Sequence, residues 1–186
     1  VTVTDANGCS KVANWEITQP SSPVSPNAFI DQEPTCYGDM DGALKSEPTG
    51  GNGSPFAYEW NDPAHQTTAL ADGLAAGDYT VTVTDEKGCS AQETITLTQP
   101  DSIDITANIT DVSCFGGSDG AIQLSDVSGG VGSYGFWWTT SDGSGLNQSQ
   151  RNQSGLTRGG YTVEVTDGNN CSKERTYNVQ QPAEIT

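Results

Sequence analysis

Apolar and polar residues alternate along much of this chain, and the alternation returns. Tyr79, Val81 and Val83 are separated by threonines up to Thr84; Tyr161, Val163 and Val165 repeat the pattern up to Thr166. A period of two predicts strands with one buried face and one wet face. Threonine on the wet face suits a half-exposed antiparallel strand. In the second copy Ile103, Ile105, Ala107 and Ile109 mark a first strand, and Ile122 and Leu124 a second. Tyr134, Phe136 and Trp138 mark a third, and Tyr177 and Val179 a last. The first copy matches with Phe56, Tyr58 and Trp60, then Tyr79 to Val83, then Ile95 and Leu97. Between its third strand and Tyr79, the stretch from Asn61 to Gly77 has room for one short strand, expected around Thr67–Leu70. Trp60 and Trp138 fall on the buried parity and are expected in the core. Trp15 and Trp137 do not share that assignment and are candidates for exposed platforms that stack on sugars.

The repetition extends to the wording. Tyr79-Thr-Val-Thr-Val-Thr-Asp-Glu-Lys-Gly-Cys89 returns as Tyr161-Thr-Val-Glu-Val-Thr-Asp-Gly-Asn-Asn-Cys171, and the chain opens on Val1-Thr-Val-Thr-Asp-Ala-Asn-Gly-Cys9. A Gln-Pro follows ten residues after each cysteine, at Gln19-Pro20, Gln99-Pro100 and Gln181-Pro182. The cysteine steps are 89 − 9 = 80 and 171 − 89 = 82 residues. A long period filled with strand signals means a string of small domains. The expected organisation is the C-terminal hairpin of a truncated repeat (1–20), two complete repeats (21–100 and 101–182), and the opening of another (183–186). The chain therefore reads as a window on a longer array. The expected fold is all-β: tandem Ig-like antiparallel β-sandwich repeats of about six to seven strands.

Each complete repeat carries two cysteines. The first lies in an entry loop between strands one and two, Cys36-Tyr-Gly-Asp-Met-Asp-Gly42 or Cys114-Phe-Gly-Gly-Ser-Asp-Gly120. The second, Cys89 or Cys171, closes the turn of the final hairpin. An odd number of strands between the third strand and that hairpin puts both loops at one end of the repeat. One short strand satisfies this condition. The expectation is one disulfide within each repeat, Cys36–Cys89 and Cys114–Cys171, each stabilising by roughly 4 kcal/mol in the chain-entropy model. Cys9 is left over, its partner expected upstream. Paired cysteines place the chain in an oxidising, extracytoplasmic setting. No Cys-x-x-Cys occurs and no histidine accompanies the cysteines, which argues against zinc.

Composition changes the picture in two ways. Val, Ile, Leu and Phe make up about one residue in six, and the formal charge is −17. That composition alone reads as disorder. The strand spacing of the apolar residues and the fixed cysteines overrule it, a cross-link being a common remedy for a small core. The acidic balance excludes a phosphate-binding face for nucleic acid and disfavours an anionic membrane surface. No apolar run approaches spanning length.

Taken together, the motifs form one signature. It runs Cys-x-Gly-x-x-Asp-Gly, Gly-Gly, an aromatic-x-aromatic-x-Trp strand, then Gly-Leu-x-x-Gly-x-Tyr-Thr-Val-x-Val-Thr-Asp-x-x-x-Cys and Gln-Pro. Gly73-Leu-Ala-Ala-Gly-Asp-Tyr79 and Gly155-Leu-Thr-Arg-Gly-Gly-Tyr161 carry its third element. This resembles the SprB repeat family of large surface proteins in gliding bacteria. The resemblance implies a non-enzymatic, extracellular filament shaft exported by type IX secretion and used in attachment and gliding motility. Its implied partners are neighbouring repeats, surface polysaccharide and motor- or secretion-linked outer-membrane proteins. A polysaccharide-binding module, or a non-catalytic repeat region of a secreted enzyme, are the alternatives.

Few residues invite chemistry. Asp39, Asp41, Asp85, Glu86, Asp119 and Asp167 would gather at one end of their repeats if the expected disulfides form. Oxygen ligands so placed suit Ca²⁺, which takes six to eight; the competing role is turn chemistry, each Asp bonding its own backbone. No other cofactor is expected. His65 has no counterpart in the second repeat, and no nucleophile–base pair recurs. Ser102, in Asp101-Ser102-Ile103, matches a short acceptor pattern for bacterial O-glycosylation.

Overall fold

The computed structural model describes residues 1–185. Among these there is no helix, and the chain is all-β. A short hairpin opens it, β1 (Thr2–Thr4) and β2 (Ser10–Val12). The first repeat follows with β3 (Ala28–Gln32), β4 (Gly42–Ser46), β5 (Ala57–Trp60), β6 (Leu70–Leu74), β7 (Gly77–Thr84) and β8 (Ser90–Leu97). The second holds β9 (Asp104–Thr110), β10 (Gly120–Ser128), β11 (Gly135–Thr140), β12 (Gln153–Leu156), β13 (Gly159–Thr166) and β14 (Ser172–Val179). Thr186, the last residue of the expected 183–186 opening, lies outside the described residues.

Contacts divide the chain into two compact units. One holds Val1–Ala28, Ser46–Ala69 and Thr80–Thr94. The other holds Phe29–Lys45, Leu70–Tyr79 and the chain from Ile95 on, so it contains the whole second repeat and the entry loop of the first.

The second repeat is a sandwich of two three-stranded sheets, ordered β12-β10-β9 and β11-β13-β14, with antiparallel pairs throughout. The alternation places its apolar residues between them. Ile105, Ile122, Leu124 and Leu156 come from one sheet; Trp138, Tyr161, Val163, Val165 and Val179 come from the other. Trp138 is fully buried, tilted against Tyr177 with ring centroids 6.4 Å apart, and its Nε1–H donates to the Gln150 carbonyl at 2.9 Å. Each such side chain contributes about 1.5–3 kcal/mol by leaving water. Tyr161 opens β13 and donates its hydroxyl to the Thr157 carbonyl four residues back at 2.8 Å. A tyrosine tied back in this way is a feature of Ig-like sandwiches.

The first repeat has sheets of the same order, β3-β4-β6 and β5-β7-β8. Trp60 is buried, as expected. Tyr79 bonds the Ala75 carbonyl four residues back at 2.9 Å. The short strand expected around Thr67–Leu70 lies instead at Leu70–Leu74.

The connection before that strand has a larger consequence. In the second repeat the chain leaves β11 and runs back beside it without strand geometry: Trp138 N–H donates to the Gln148 carbonyl at 2.9 Å. Gln153, buried at 2 % exposure, holds this return leg through the backbone carbonyls of Asn147 and Gln150 and the Asn147 N–H. The leg traverses the repeat in place of a strand, so β12 runs antiparallel to β10. The count that decides which loops share an end is thereby changed by one.

Candidate functional site

That change relocates the disulfide. The entry loop of the second repeat sits at the C-terminal end of β14, where Val112 N–H meets the Gln180 carbonyl and Gly116 N–H meets Gln181 Oε1. Cys171 sits at the other end of β14, immediately before Ser172. Eight residues of strand span about 26 Å, whereas the Cα atoms of a disulfide are about 4.4–6.8 Å apart. Cys114 and Cys171 of one repeat therefore do not meet. The structure bonds Cys36 to Cys171 instead, with Cα atoms 5.6 Å apart and a sequence separation of 135. Both ends of this bond lie in the second compact unit. The expected pairs Cys36–Cys89 and Cys114–Cys171 are thus corrected: Cys89 and Cys114 are free and exposed, as is Cys9.

Each end of the bond is presented by a loop whose shape is written locally. In the entry loop Asp41 accepts from Thr35 N–H at 2.9 Å and from the Thr35 hydroxyl. Asp39 N–H closes a turn on the Cys36 carbonyl at 3.1 Å. Gly38 N–H donates to Gln99 Oε1 at 2.8 Å, which ties the loop to the Gln-Pro linker. At the other end Asp167, 5 % exposed, organises the hairpin turn. Its Oδ1 accepts from Asn169 and Cys171 N–H and its Oδ2 from Val131 N–H, at 2.8–2.9 Å. Gly130 lies against this carboxylate at a positive φ of 61°; a side chain there would strike Asp167 Oδ2. This is why Gly-Gly recurs three strands before the cysteine. Asn169 Nδ2 reaches across to the Thr35 carbonyl at 3.2 Å beside the bond. The surrounding cleft is lined by Tyr37 and Asp39 of the entry loop and by Ile103, Gly130 and Asp167 of the second repeat.

The carboxylates follow this division. The hydroxyl and N–H of Thr35 hold Asp41 below the usual carboxylate range, and those of Ser113 do the same for Asp119. Burial pushes Asp167 up, but its three N–H donors outweigh it and the pKa is lowered. In the first repeat Asp85 takes the backbone N–H of Asn52, the Asn52 side chain, and the N–H groups of Cys89 and Lys87. The Asn52 N–H is the largest cause of a pKa lowered to about 2; burial opposes it. Asp39 and Glu86 are exposed, and Glu86 lies 3.4 Å from Lys87 Nζ. Among the described residues no group of three or more acidic, histidine or cysteine side chains is placed to hold a metal ion; of the six residues considered for Ca²⁺, Asp39 and Asp167 line one cleft.

Trp15 and Trp137 are exposed, at 72 % and 50 %. Ser102 is exposed beside the disulfide cleft. His65 occupies a positive-φ turn position in a loop held by Asp62, which accepts from Ala64 and Gln66 N–H. Two contributors escaped the sequence reading. The Gln of two of the three Gln-Pro pairs caps an entry loop, Gln99 on Gly38 and Gln181 on Gly116. Asn52 completes the shell of Asp85. The constant Gln before each Pro was a signal for the first; nothing marked the second.

The disulfide, the turns that present it and the sandwich define an all-β repeat protein with Ig-like topology. The family model for the SprB repeat matches residues 106–143, the stretch from β9 to the loop beyond β11, which supports assigning the chain to that family. No curated protein matches the chain. Among solved structures it is similar to the three N-terminal domains of the bacteriophage RB49 Highly Immunogenic Outer Capsid protein (Hoc), with a TM-score of 0.47 and 17% identity. That match covers 84% of this chain and 59% of the other, so the chain spans somewhat over half of that structure's length. It is also similar to the insect immune protein hemolin, with a TM-score of 0.37 and 16% identity over 87% of this chain and 48% of that one.

Proposed function

We propose that this chain is a segment of the shaft of a large extracellular adhesin, displayed at a cell surface and used in attachment and gliding motility. The observation that carries the reading is the Cys36–Cys171 bond, a covalent link between consecutive copies of an SprB-type repeat. A sandwich repeat holds its own core, and adding copies lengthens the molecule without redesigning it. Proline in each linker fixes one backbone angle and favours an extended connection. The bond fits an oxidising location. Load passes along strands and disulfides, and the role is mechanical and non-catalytic. Its partners would be neighbouring repeats, surface polysaccharide, and motor- or secretion-linked proteins of the outer membrane.

Antibodies raised against the purified chain test this on intact source cells. Labelling of unpermeabilised cells, and propulsion of antibody-coated beads along them, is the expected result. Labelling only after permeabilisation would overturn it. A second reading has its own observation: Trp137 exposes half its surface on a strand, a geometry suited to sugar stacking. Retardation of the chain on polysaccharide-containing gels, abolished by Trp137→Ala, would support that reading.

A further inference from the structure

Both halves of the Cys36–Cys171 bond occur again in this chain, unbonded. The entry loop around Cys114 is built as the loop around Cys36 is. Asp119 accepts from Ser113 N–H at 3.0 Å where Asp41 accepts from Thr35. Gly117 N–H closes on the Cys114 carbonyl at 3.0 Å where Asp39 closes on Cys36. Gly116 N–H bonds Gln181 Oε1 where Gly38 bonds Gln99, and both glycines have positive φ. Phe115 stands exposed in the place of Tyr37. The hairpin turn around Cys89 likewise copies that around Cys171. Cys89 N–H and Cys171 N–H each donate 2.9 Å to Oδ1 of the preceding Asp85 or Asp167. Gly51 takes the place of Gly130 against that carboxylate.

The surroundings of Cys89 match as well. Pro23, Val24, Gly51 and Cys89 line a cleft, as Ser102, Ile103, Gly130 and Cys171 line the cleft that holds the Cys36 loop. At Cys171 an entry-loop cysteine and its aromatic neighbour fill the position; at Cys89 the thiol is exposed.

We propose that Cys114 and Cys89 are the two halves of further disulfides with flanking repeats of the same signature. Cys114 bonds the hairpin-turn cysteine of the repeat that follows, and Cys89 bonds the entry-loop cysteine of the repeat that precedes. Cys9, whose N–H also meets Asp5 Oδ1 at 2.9 Å, is a hairpin-turn cysteine of the same kind as Cys89. The oxidant is a disulfide, either an oxidised dithiol protein or glutathione disulfide. One thiolate attacks it, forms a mixed disulfide and releases one thiol. The second cysteine, as thiolate, displaces the other thiol. Two protons and two electrons leave the cysteine pair, and the oxidant is reduced to two thiols. The linkage concerns repeats alone and stands whether or not the array serves adhesion.

The test extends the chain by one copy of residues 101–182 placed directly after Pro182, the copy carrying Ser172→Thr beside its cysteine so that the two Cys171 peptides differ in mass. The Gln181-Pro182 linker then leads into the copy as Gln99-Pro100 leads into Asp101. The protein is equilibrated in glutathione and glutathione disulfide, free thiols are alkylated, and non-reduced peptides are mapped by mass. Cys36–Cys171 must persist, and Cys114 is expected on the peptide holding the added copy of Cys171. Alkylated Cys114 overturns the proposal, as does Cys114 bonded to Cys171 of its own repeat or loss of the Cys36–Cys171 bond. A second extension replaces residues 1–20 with a copy of residues 21–100. Cys89 is then expected on the added copy of Cys36, and alkylated Cys89 overturns that half.

Discussion

Pulling the chain from its two ends exposes the pairing directly. The Cys36–Cys171 bond closes a loop of 135 residues. With the bond intact, those residues cannot extend when the sandwiches open. With it removed, they add about 450–490 Å of contour length at roughly 3.3–3.6 Å per residue. The same loop also limits the unfolded ensemble, and its length corresponds to about 5 kcal/mol in the chain-entropy model. Cys36→Ser removes the bond and leaves the entry loop's capping by Asp41 and Gln99 in place. Single-molecule force spectroscopy of the oxidised parent and of C36S should therefore differ by one gain of that size. Guanidinium titration should show the variant less stable. Disulfides within each repeat would close loops of 89 − 36 = 53 and 171 − 114 = 57 residues. C36S would then open only the first of these, a gain of roughly 175–190 Å. A gain of that smaller size, or identical traces for parent and variant, would refute the pairing.

Two other expectations concern single side chains. Trp138→Ala should destabilise the second repeat by about 3–5 kcal/mol in thermal or denaturant melts, whereas Trp137→Ala, at an exposed position on the same strand, should change stability by less than about 0.5 kcal/mol. Asp85 has its pKa lowered to about 2 in the folded chain. A depressed acid stabilises the fold above its unfolded value near 3.8 and loses that contribution as pH falls toward 2. Urea titrations between pH 5 and 2 should thus show falling stability, with a shallower fall in Asp85→Asn; an unchanged slope would remove Asp85 from the account.

Much of the fold was legible because alternation is a strong signal where a strand has one wet face. Of the residues assigned to the inner faces of β10, β11, β13 and β14, all are buried except Tyr134 and Phe136, which are partly buried against the same core, and the distinction between Trp137 and Trp138 is as expected. The pairing of the cysteines was not legible. It turned on the return leg after Trp60 and Trp138, which is held by backbone bonds to Gln66 and Gln148 and carries no alternation. A segment without strand pattern still crosses the repeat and reverses which end the final hairpin reaches. The roughly twelve residues between Thr140 and Gln153, more than a tight turn needs, were the available clue. The acidic residues were correctly seen to recur at turns. Their neighbours explain why: each of Asp41, Asp85, Asp119 and Asp167 is committed to N–H groups of a loop that aims a cysteine.

The offset of the bond bears on resistance to proteolysis. The linker Gln99-Pro100 lies between Cys36 and Cys171 in sequence. A protease that severs the backbone there leaves both fragments attached through sulfur. Had each cysteine been paired inside its own repeat, the same single cut would have parted the molecule between its repeats.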